Sequence, residues 1–524
     1  MTAASVGPRW AEAIASSRAL RAIPWVAAAV TMTVGWWLWG SLNAEPWIYD
    51  EAAYLLQAKI FATFRWATEG RPLPEFFEQL HVFVTPKLVP KYPPGHAITM
   101  VPGIWLGLAG LVPLRLAGVA AWLICWLAER LTDRVTAILT WLVWLTAPTV
   151  MTFMPSYMSQ STTLVTWLGG WACLLRWRDD SRPRWLLAGS ALLAWGAITR
   201  PFSMIAFAVP AGLWLLAALY RRGELRRLIA MALVASAILA LPLVWSRSVS
   251  GRAYPTPYSE YSRVYAPWNM PGFRIDSTPP LRPPTVAMEV FKEGFLPLHE
   301  SHRIERLPAI LVERLVGTAK EIWGPAGWRW LLLPMALLGI FVLPRSASIG
   351  LGSAALLVLT YLYMAARPRW AIYHLEAVPV AALATAAGLW WTARMVERSV
   401  VRTTRGRRGL AVGLVVVGVL AAIPGSVDRA VRIRGGLRSL RAVPERLAAV
   451  ADSIPGPAIV FIRTSSGAER HPSYLRNEPD LEKTRVWLVE DRGDDNERLT
   501  RLAPDRATFL FDPGSGELLP ATMP

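Results

Sequence analysis

Two adjacent carboxylates, Asp50 and Glu51, follow shortly after a long apolar stretch, with Tyr54 one helical turn further on. A charge near hydrocarbon costs several kcal/mol unless it is solvated or paired, so an acid at a membrane edge is a candidate for chemistry. Such a carboxylate can act as a general base and take the proton of an attacking hydroxyl. A structural role is equally open, because Asp50 suits a helix N-cap and Glu51 suits the positive end of a helix dipole.

Basic residues recur at other predicted membrane edges. Lys87 and Lys91 precede a Tyr92-Pro-Pro-Gly turn that leads to His96 and back into an apolar segment. This position places a cation at the level of lipid headgroups, where phosphates lie. Ordinary snorkelling of lysine at the interface is the alternative interpretation.

Arginines stand at two further span junctions. One is Arg200, in Thr199-Arg-Pro, and the other junction carries Arg367, Arg369, Tyr373 and His374. The guanidinium fork fits phosphate oxygens in bidentate geometry. An acid that faces several cations outside the membrane is the arrangement expected for chemistry on a phosphate-linked lipid.

The composition indicates the elements that must position these residues. Of 524 residues, 53% are hydrophobic and only 18% are charged. Apolar stretches of about 20 residues, enough to cross about 30 Å of hydrocarbon, recur along the chain and predict an α-helical polytopic membrane protein. This excludes a soluble globule. The net charge of +18 comes largely from short loops between apolar segments, which membrane topology explains, so we expect no nucleic-acid partner.

The predicted fold has about 11 transmembrane helices. The spans are expected near 23–42, 113–130, 134–153, 157–175, 185–200, 202–220, 228–246, 328–344, 350–366, 371–393 and 409–424. The apolar piece 97–111 is too short to cross and is interpreted as a shallow helix. With these spans and a cytoplasmic start, the segments on the inner side hold 20 of the 55 Lys and Arg but only 7 of the 37 Asp and Glu. The positive-inside rule then predicts a plasma (inner) membrane protein with a cytoplasmic N-terminus, and with its site and C-terminus outside.

The predicted domains follow from this topology. Residues 1–22 form a cytoplasmic N-terminus, 23–424 a transmembrane domain with external loops 43–96 and 248–327, and 425–524 a juxtamembrane segment with a small extracytoplasmic α/β domain. Loop 43–96 is expected to form helices on the membrane surface. Loop 248–327 is expected to be helical from Thr285 to Trp323 and to act as a lid. Three apolar runs starting at Ala458, Arg485 and Ala507 predict the strands of the C-terminal domain.

These motifs, in this order, resemble the GT-C superfamily of membrane glycosyltransferases. The resemblance covers residues 20–395, and its nearest group comprises protein O-mannosyltransferases, aminoarabinose lipid A transferases and Rgt-like lipopolysaccharide glycosyltransferases. It implies a GT-C-like fold and the transfer of a hexose or pentose from a polyprenyl-phosphate donor to an extracytoplasmic acceptor: a glycolipid, a wall polymer or a protein.

The resemblance also implies roles for individual residues. Asp50 would be the general base, with inversion at the anomeric carbon, and Glu51 would assist it. Donor phosphate would be bound by Lys91, Lys87, Arg200, Arg367 and Arg369. Sugar or acceptor would contact Tyr54, Tyr92, His96, Tyr373 and His374.

Cofactors and rival functions stay open at this stage. Some GT-C relatives hold a divalent metal with acidic residues at the junction that here reads Pro155-Ser-Tyr-Met-Ser-Gln160, without a carboxylate, so metal dependence is undecided and no metal ligand is predicted. A transporter or flippase of lipid-linked sugars is the alternative function. It would predict polar or Gly/Pro-broken spans near the bilayer midplane, which the sequence does not show. A catalytically silent scaffold of the same build is the third candidate.

Overall fold

The computed structural model describes residues 22–282, 285–324, 332–367, 370–399, 413, 417–418, 424–463, 471 and 474–521. Helices dominate it. The first ten are α1 Ile23–Trp39, α2 Tyr49–Ala62, α3 Pro94–Trp105, α4 Leu111–Leu131, α5 Arg134–Leu145, α6 Pro148–Phe153, α7 Gln160–Asp180, α8 Pro183–Ala197, α9 Pro201–Arg222 and α10 Arg227–Ser250. The remaining ones are α11 Pro257–Tyr265, α12 Val286–Ser301, α13 Leu307–Trp323, α14 Leu332–Val342, α15 Ser348–Tyr361, α16 Val378–Ser399, α17 Pro424–Ser453 and α18 Asn496–Leu502.

Several described helices can cross a membrane. Four are long and apolar enough to do so alone, and a pair bent by 111° would make a fifth; they are Leu111–Leu131, Pro201–Arg222, Arg227–Ser250, Ala371–Val396 and the pair Leu332–Val342 with Arg345–Tyr361. The predicted membrane-helix architecture is therefore confirmed in outline, while the count of eleven stays a prediction. Most of the predicted span 409–424 lies outside the described residues.

One predicted span is divided in the structure. The stretch 134–153 is divided into α5 and α6, because Pro148 begins a new helix after the extended backbone of Ala147. The piece predicted to be too short to cross forms α3, which has only 12 residues. At 1.5 Å per residue that is about 18 Å, well short of the hydrocarbon thickness.

Segment 43–96, predicted to be an external loop, contains a small sheet where we expected further surface helices. After α2, the strands β1 (Thr68–Glu69), β2 (Val82–Phe83) and β3 (Lys87–Pro90) pair antiparallel in the order β1-β3-β2. Val82, Leu88 and Val89 are buried. The prediction of helices was wrong for these residues because the short strands satisfy their backbone groups by pairing with each other. The sheet brings Lys91, at the end of β3, next to the start of α2.

The C-terminal segment contains strands at the three predicted apolar runs. Strands β4 (Ala458–Ile462), β5 (Val486–Glu490), β6 (Ala507–Asp512) and β7 (Glu517–Pro520) form one sheet in the order β5-β4-β6-β7. The first three are parallel, and β7 is antiparallel to β6. Helix α18 connects β5 to β6, and the long helix α17 precedes β4.

This sheet packs directly on segment 43–96. Phe76 and Phe77 are buried in the domain's core, with ring centroids 6.4 Å from Phe461 and 6.2 Å from Trp487, respectively. Around them, an ion pair of 2.6 Å joins Lys59 of α2 to Glu478. The domain and the loop therefore share one core.

We expect Phe76→Ala to loosen this contact. Truncating a buried phenylalanine costs about 3–5 kcal/mol through lost apolar burial and a cavity. The C-terminal sheet should become more sensitive to limited proteolysis, and the Tm of the purified protein should fall. Phe64→Ala, at a ring that is 87% exposed, is the matched control and should change neither. Equal proteolysis of the two variants would contradict a shared core.

Candidate active site

Glu51 fixes the start of α2. Its side chain is fully buried, and its two oxygens accept hydrogen bonds of 3.0 Å from the backbone N–H groups of Trp47 and Tyr157. The carboxylate thereby ties the turn before α2 to the segment between α6 and α7. Because Glu51 is fully buried and both of its oxygens contact backbone N–H groups, its contacts are those of a positioning residue.

Arg441 of α17 supports the same junction from the other side. It is buried, donates to the carbonyl of Glu45 at 2.8 Å and to the carbonyl of Trp39 at 3.0 Å, and lies over the Trp39 ring. Glu45 also pairs with Arg476 of the C-terminal region. The end of α1 and the start of α2 are thus held by residues far along the chain.

Asp50 stands in the first turn of α2 with one oxygen engaged and one available. Its Oδ1 accepts a 2.5 Å hydrogen bond from the Tyr92 hydroxyl. Its Oδ2 lies 3.8 Å from Nε2 of His81, beyond hydrogen-bond distance. The Asp50 side chain is 38% exposed, unlike that of its neighbour Glu51. A carboxylate with one anchored and one reachable oxygen has the geometry that a general base needs.

Lys91 lies beside this carboxylate inside a cage of tyrosines. Its Nζ is 4.8 Å from the ring centroid of Tyr258, 5.0 Å from that of Tyr261 and 5.4 Å from that of Tyr92. Burial lowers the pKa of Lys91 to about 8, although the nearby Asp50 charge favours the cation. The aromatic faces stabilise a charge that has little access to water. At neutral pH the site therefore holds a desolvated cation next to a carboxylate.

Arg200 forms the second cationic centre. Its guanidinium donates to the Tyr361 hydroxyl at 2.7 Å and to Ser159 Oγ at 3.3 Å, and its Nε lies 3.9 Å from Glu376. The hydroxyl of Tyr54 donates to the same Ser159 oxygen at 2.9 Å, and its ring stacks on Tyr92 at 4.5 Å. Tyr54 consequently links the Arg200 centre to the Asp50 centre. Tyr373 flanks Arg200 with its ring centroid at 6.0 Å.

The other predicted site residues lie in different surroundings. Exposed Lys87 donates to the carbonyl of Ser248, and exposed Arg367 lies over the ring of Trp370. His96 and His374 are buried. His96 uses both ring nitrogens, on Thr162 and on the carbonyl of Tyr157. His374 contacts Thr318 at 2.7 Å. Arg369 lies outside the described residues.

Several residues of the site were not selected from the sequence. They are His81, Ser159, Tyr258, Tyr261, Tyr361 and Glu376. The spacing of Tyr258 and Tyr261 places them on one face of a helix. It predicts α11 but not the residues that this face contacts. Glu376 is only 1% exposed and was hidden in an apolar stretch, where a charged residue is itself a signal.

The described residues do not assemble a metal site. No group of three or more His, Cys, Asp and Glu side chains converges within this part of the chain. At the site itself Asp50 and His81 provide two possible metal ligands, fewer than the three protein ligands usual for catalytic zinc. We therefore assign no step to a metal.

We expect the burial of Glu51 to appear in the pH dependence of stability. Burial raises the pKa of Glu51 to about 7 from 4.5, with the Trp47 N–H opposing it. A raised folded-state pKa contributes stability that is complete below about 4.5 and is lost as pH rises through about 7. Glutamine does not titrate, so the Tm difference between wild type and Glu51→Gln should narrow from pH 5 to pH 8. Thermal scans should show no such trend for Glu69→Gln at an exposed position; a constant Tm gap for Glu51→Gln would contradict the prediction.

Comparison with known structures finds the fold of this chain in solved proteins of low sequence identity. ArnT from Cupriavidus metallidurans bound to undecaprenyl phosphate aligns with a TM-score of 0.50 and 16% identity, over 94% of this chain and 89% of that chain. The apo state of the same protein gives a TM-score of 0.54 and 13% identity, over 93% and 92%. An oligosaccharyltransferase from Archaeoglobus fulgidus gives 0.48 and 12%, over 90% and 64%.

Sequence comparisons add no relative to these structures. No protein-family model matches the chain, and no curated protein matches it. The alignment with ArnT nevertheless extends over nearly the whole of both chains, including the C-terminal region that no sequence motif covered. The chain has the same fold as ArnT, in agreement with the fold that the resemblance of its motifs to the GT-C superfamily implied.

Proposed function

We propose that this protein is a glycosyltransferase that moves a sugar from a polyprenyl-phosphate donor to an acceptor hydroxyl outside the cytoplasm. The observation that carries the proposal is the Asp50 carboxylate, with one oxygen held by Tyr92 and the other reachable, beside the buried cation Lys91. A base and a phosphate-binding cation are the two groups that such a transfer requires.

The proposed reaction assigns a separate task to each centre. Asp50 Oδ2 accepts the proton of the acceptor hydroxyl while its oxygen forms the new bond to the anomeric carbon. The bond from that carbon to the phosphate oxygen breaks with its electron pair, and polyprenyl phosphate leaves from the opposite face. The anomeric configuration inverts. Lys91 and Arg200 stabilise the negative charge that develops on the leaving phosphate, a role in which fixed charges contribute most.

The surroundings of Arg200 support its assignment to the phosphate. Its ion pair with Glu376 is long, at 3.9 Å, and its two short contacts are neutral hydroxyls, those of Tyr361 and Ser159. The guanidinium charge is therefore only partly neutralised. A phosphate would provide the bidentate partner that these contacts leave unfilled.

The fold likeness agrees with a lipid-linked donor. One of the aligned structures is ArnT with undecaprenyl phosphate bound, and we extend that donor class to this chain. We further propose the predicted orientation, with eleven spans and the site and C-terminal domain on the outer side of the plasma (inner) membrane. Loop 248–327, whose helices α12 and α13 lie within the predicted helical stretch from Thr285 to Trp323, would select the acceptor together with the C-terminal domain.

The direct test is a transfer assay in purified membranes with a panel of radiolabelled polyprenyl-phosphate sugars. One donor should be consumed, and its label should appear in an acceptor with inverted anomeric configuration. Movement of intact labelled donor across sealed vesicles without transfer would instead favour the flippase alternative. A retained configuration would overturn the single-displacement mechanism.

A further inference from the structure

The unexplained group closest to the proposed base is His81. Its imidazole lies against the rings of Tyr92, Tyr261 and Phe291 at 5.6, 6.1 and 5.8 Å. The side chain is 8% exposed, and within the described residues its Nδ1 has no hydrogen-bond partner. Only its Nε2 points to a functional group, the free Oδ2 of Asp50 at 3.8 Å.

The backbone holds His81 in a conformation that it would not adopt by preference. Its φ is +71°, in the left-handed region that non-glycine residues seldom occupy. Two hydrogen bonds enforce it: the His81 N–H donates to the Tyr261 hydroxyl at 2.8 Å, and its carbonyl accepts from the N–H of Lys91 at 2.9 Å. Strain of this kind persists where the surrounding structure over-determines it, often at functional sites.

The electrostatic environment of His81 determines the protonation state of its imidazole ring. Burial, reinforced by the Lys91 charge, lowers the pKa of His81 to about 3, so the imidazole is neutral at physiological pH. A neutral imidazole carries one N–H and one bare nitrogen. The Asp50 carboxylate on the Nε2 side attracts the proton to Nε2, so a donor faces the space beside Asp50 Oδ2.

The gap between the two groups fits one oxygen atom. Nε2 and Oδ2 are 3.8 Å apart, too far for a direct hydrogen bond. A hydroxyl oxygen at about 2.8 Å from each can sit between them, donating its own proton to Oδ2 and accepting one from Nε2. Its remaining lone pair is then free to attack.

We propose that His81 is the acceptor-positioning residue of this site, and that its Nε2–H holds the oxygen of the attacking hydroxyl while Asp50 Oδ2 takes that hydroxyl's proton. The inference rests on the proposed glycosyl transfer. It adds that the acceptor reacts through an alcohol oxygen clamped between these two side chains. The hydroxyl proton moves only to Asp50, and His81 keeps its Nε2 proton throughout the reaction.

Two substitutions separate this role from simple packing. His81→Met fills similar space without an N–H donor, whereas His81→Gln places an amide N–H near the position of Nε2. Steady-state transfer should show kcat/KM for the acceptor reduced about tenfold or more in His81→Met, the scale of one lost hydrogen bond in a dry site. The KM for the donor should not change, and His81→Gln should recover most of the loss.

A matched control lies in the same turn. Leu80 is buried in a hydrophobic cluster that includes Tyr261. Because Leu80→Met nearly preserves the side-chain volume, acceptor kinetics should stay at the wild-type level. If His81→Met and His81→Gln lose activity equally, or if donor and acceptor KM change together, the residue only packs and the inference fails.

The same assay separates this inference from the proposed function. Wild-type transfer that needs Asp50 but tolerates His81→Met would leave the glycosyltransferase assignment standing and remove the role of His81. Absence of transfer by wild type with every donor would remove both.

Discussion

Replacing Asp50 with asparagine is expected to lower the rate of sugar transfer by about 10²–10⁴-fold, the usual contribution of a general base. Asparagine has nearly the same shape, and its amide oxygen can still accept the 2.5 Å hydrogen bond that Tyr92 donates. The first turn of α2 should therefore stay in place while the group that takes the proton is lost. The measurement is kcat with saturating donor and acceptor in purified membranes.

Two further expected results serve as controls for the Asp50→Asn measurement. Asp505→Asn, at an exposed position in the C-terminal domain, should leave transfer unchanged. The KM for the donor should change little in Asp50→Asn, because Lys91 and Arg200 remain to bind the phosphate. Full activity of the variant would exclude Asp50 as the base and would direct attention to Glu376, a buried acid near Arg200.

The second large effect is expected from Lys91. Lys91→Met removes the cation from the tyrosine cage and should lower kcat/KM for the donor by about 10²–10³-fold, as for other pre-aimed groups at a developing charge. The apolar stem of methionine can still pack among Tyr92, Tyr258 and Tyr261, so the loss should be electrostatic. Lys483→Met, at a side chain that is 78% exposed, is the control.

Lys91 also predicts a pH dependence with a defined sign. Because burial lowers its pKa to about 8, the fraction of cation falls as pH rises through that value. Transfer by wild type should therefore decline above pH 8. Arginine stays charged at any such pH, so Lys91→Arg, although less active because the fork does not fit the cage, should lack this alkaline decline. A decline that persists unchanged in Lys91→Arg would assign it to another group.

The local part of the site could be read from the sequence. Asp50, Lys91 and Arg200 were named because each is a charged residue at the edge of an apolar stretch, where a charge is costly and therefore informative. Their convergence in the structure, through Tyr54, Tyr92 and Ser159, supports those choices. Lys87 and Arg367 met the same criterion and face other partners, because a position along the chain does not specify the direction of a long side chain.

The sequence by itself determined properties that depend on neighbours a few residues apart: membrane-length apolar stretches, the strands of the C-terminal segment, the helices of loop 248–327, and an acid, Asp50, after the first apolar stretch. Only the tertiary structure decided which groups surround that acid. His81 and the Tyr258 and Tyr261 pair come from separate loops, and Arg441 reaches the start of α2 from a distant helix. The physical reason is that hydropathy and periodicity act over one or two turns, whereas a desolvated cation, an anchored carboxylate and a strained histidine depend on contacts between segments far apart in the chain.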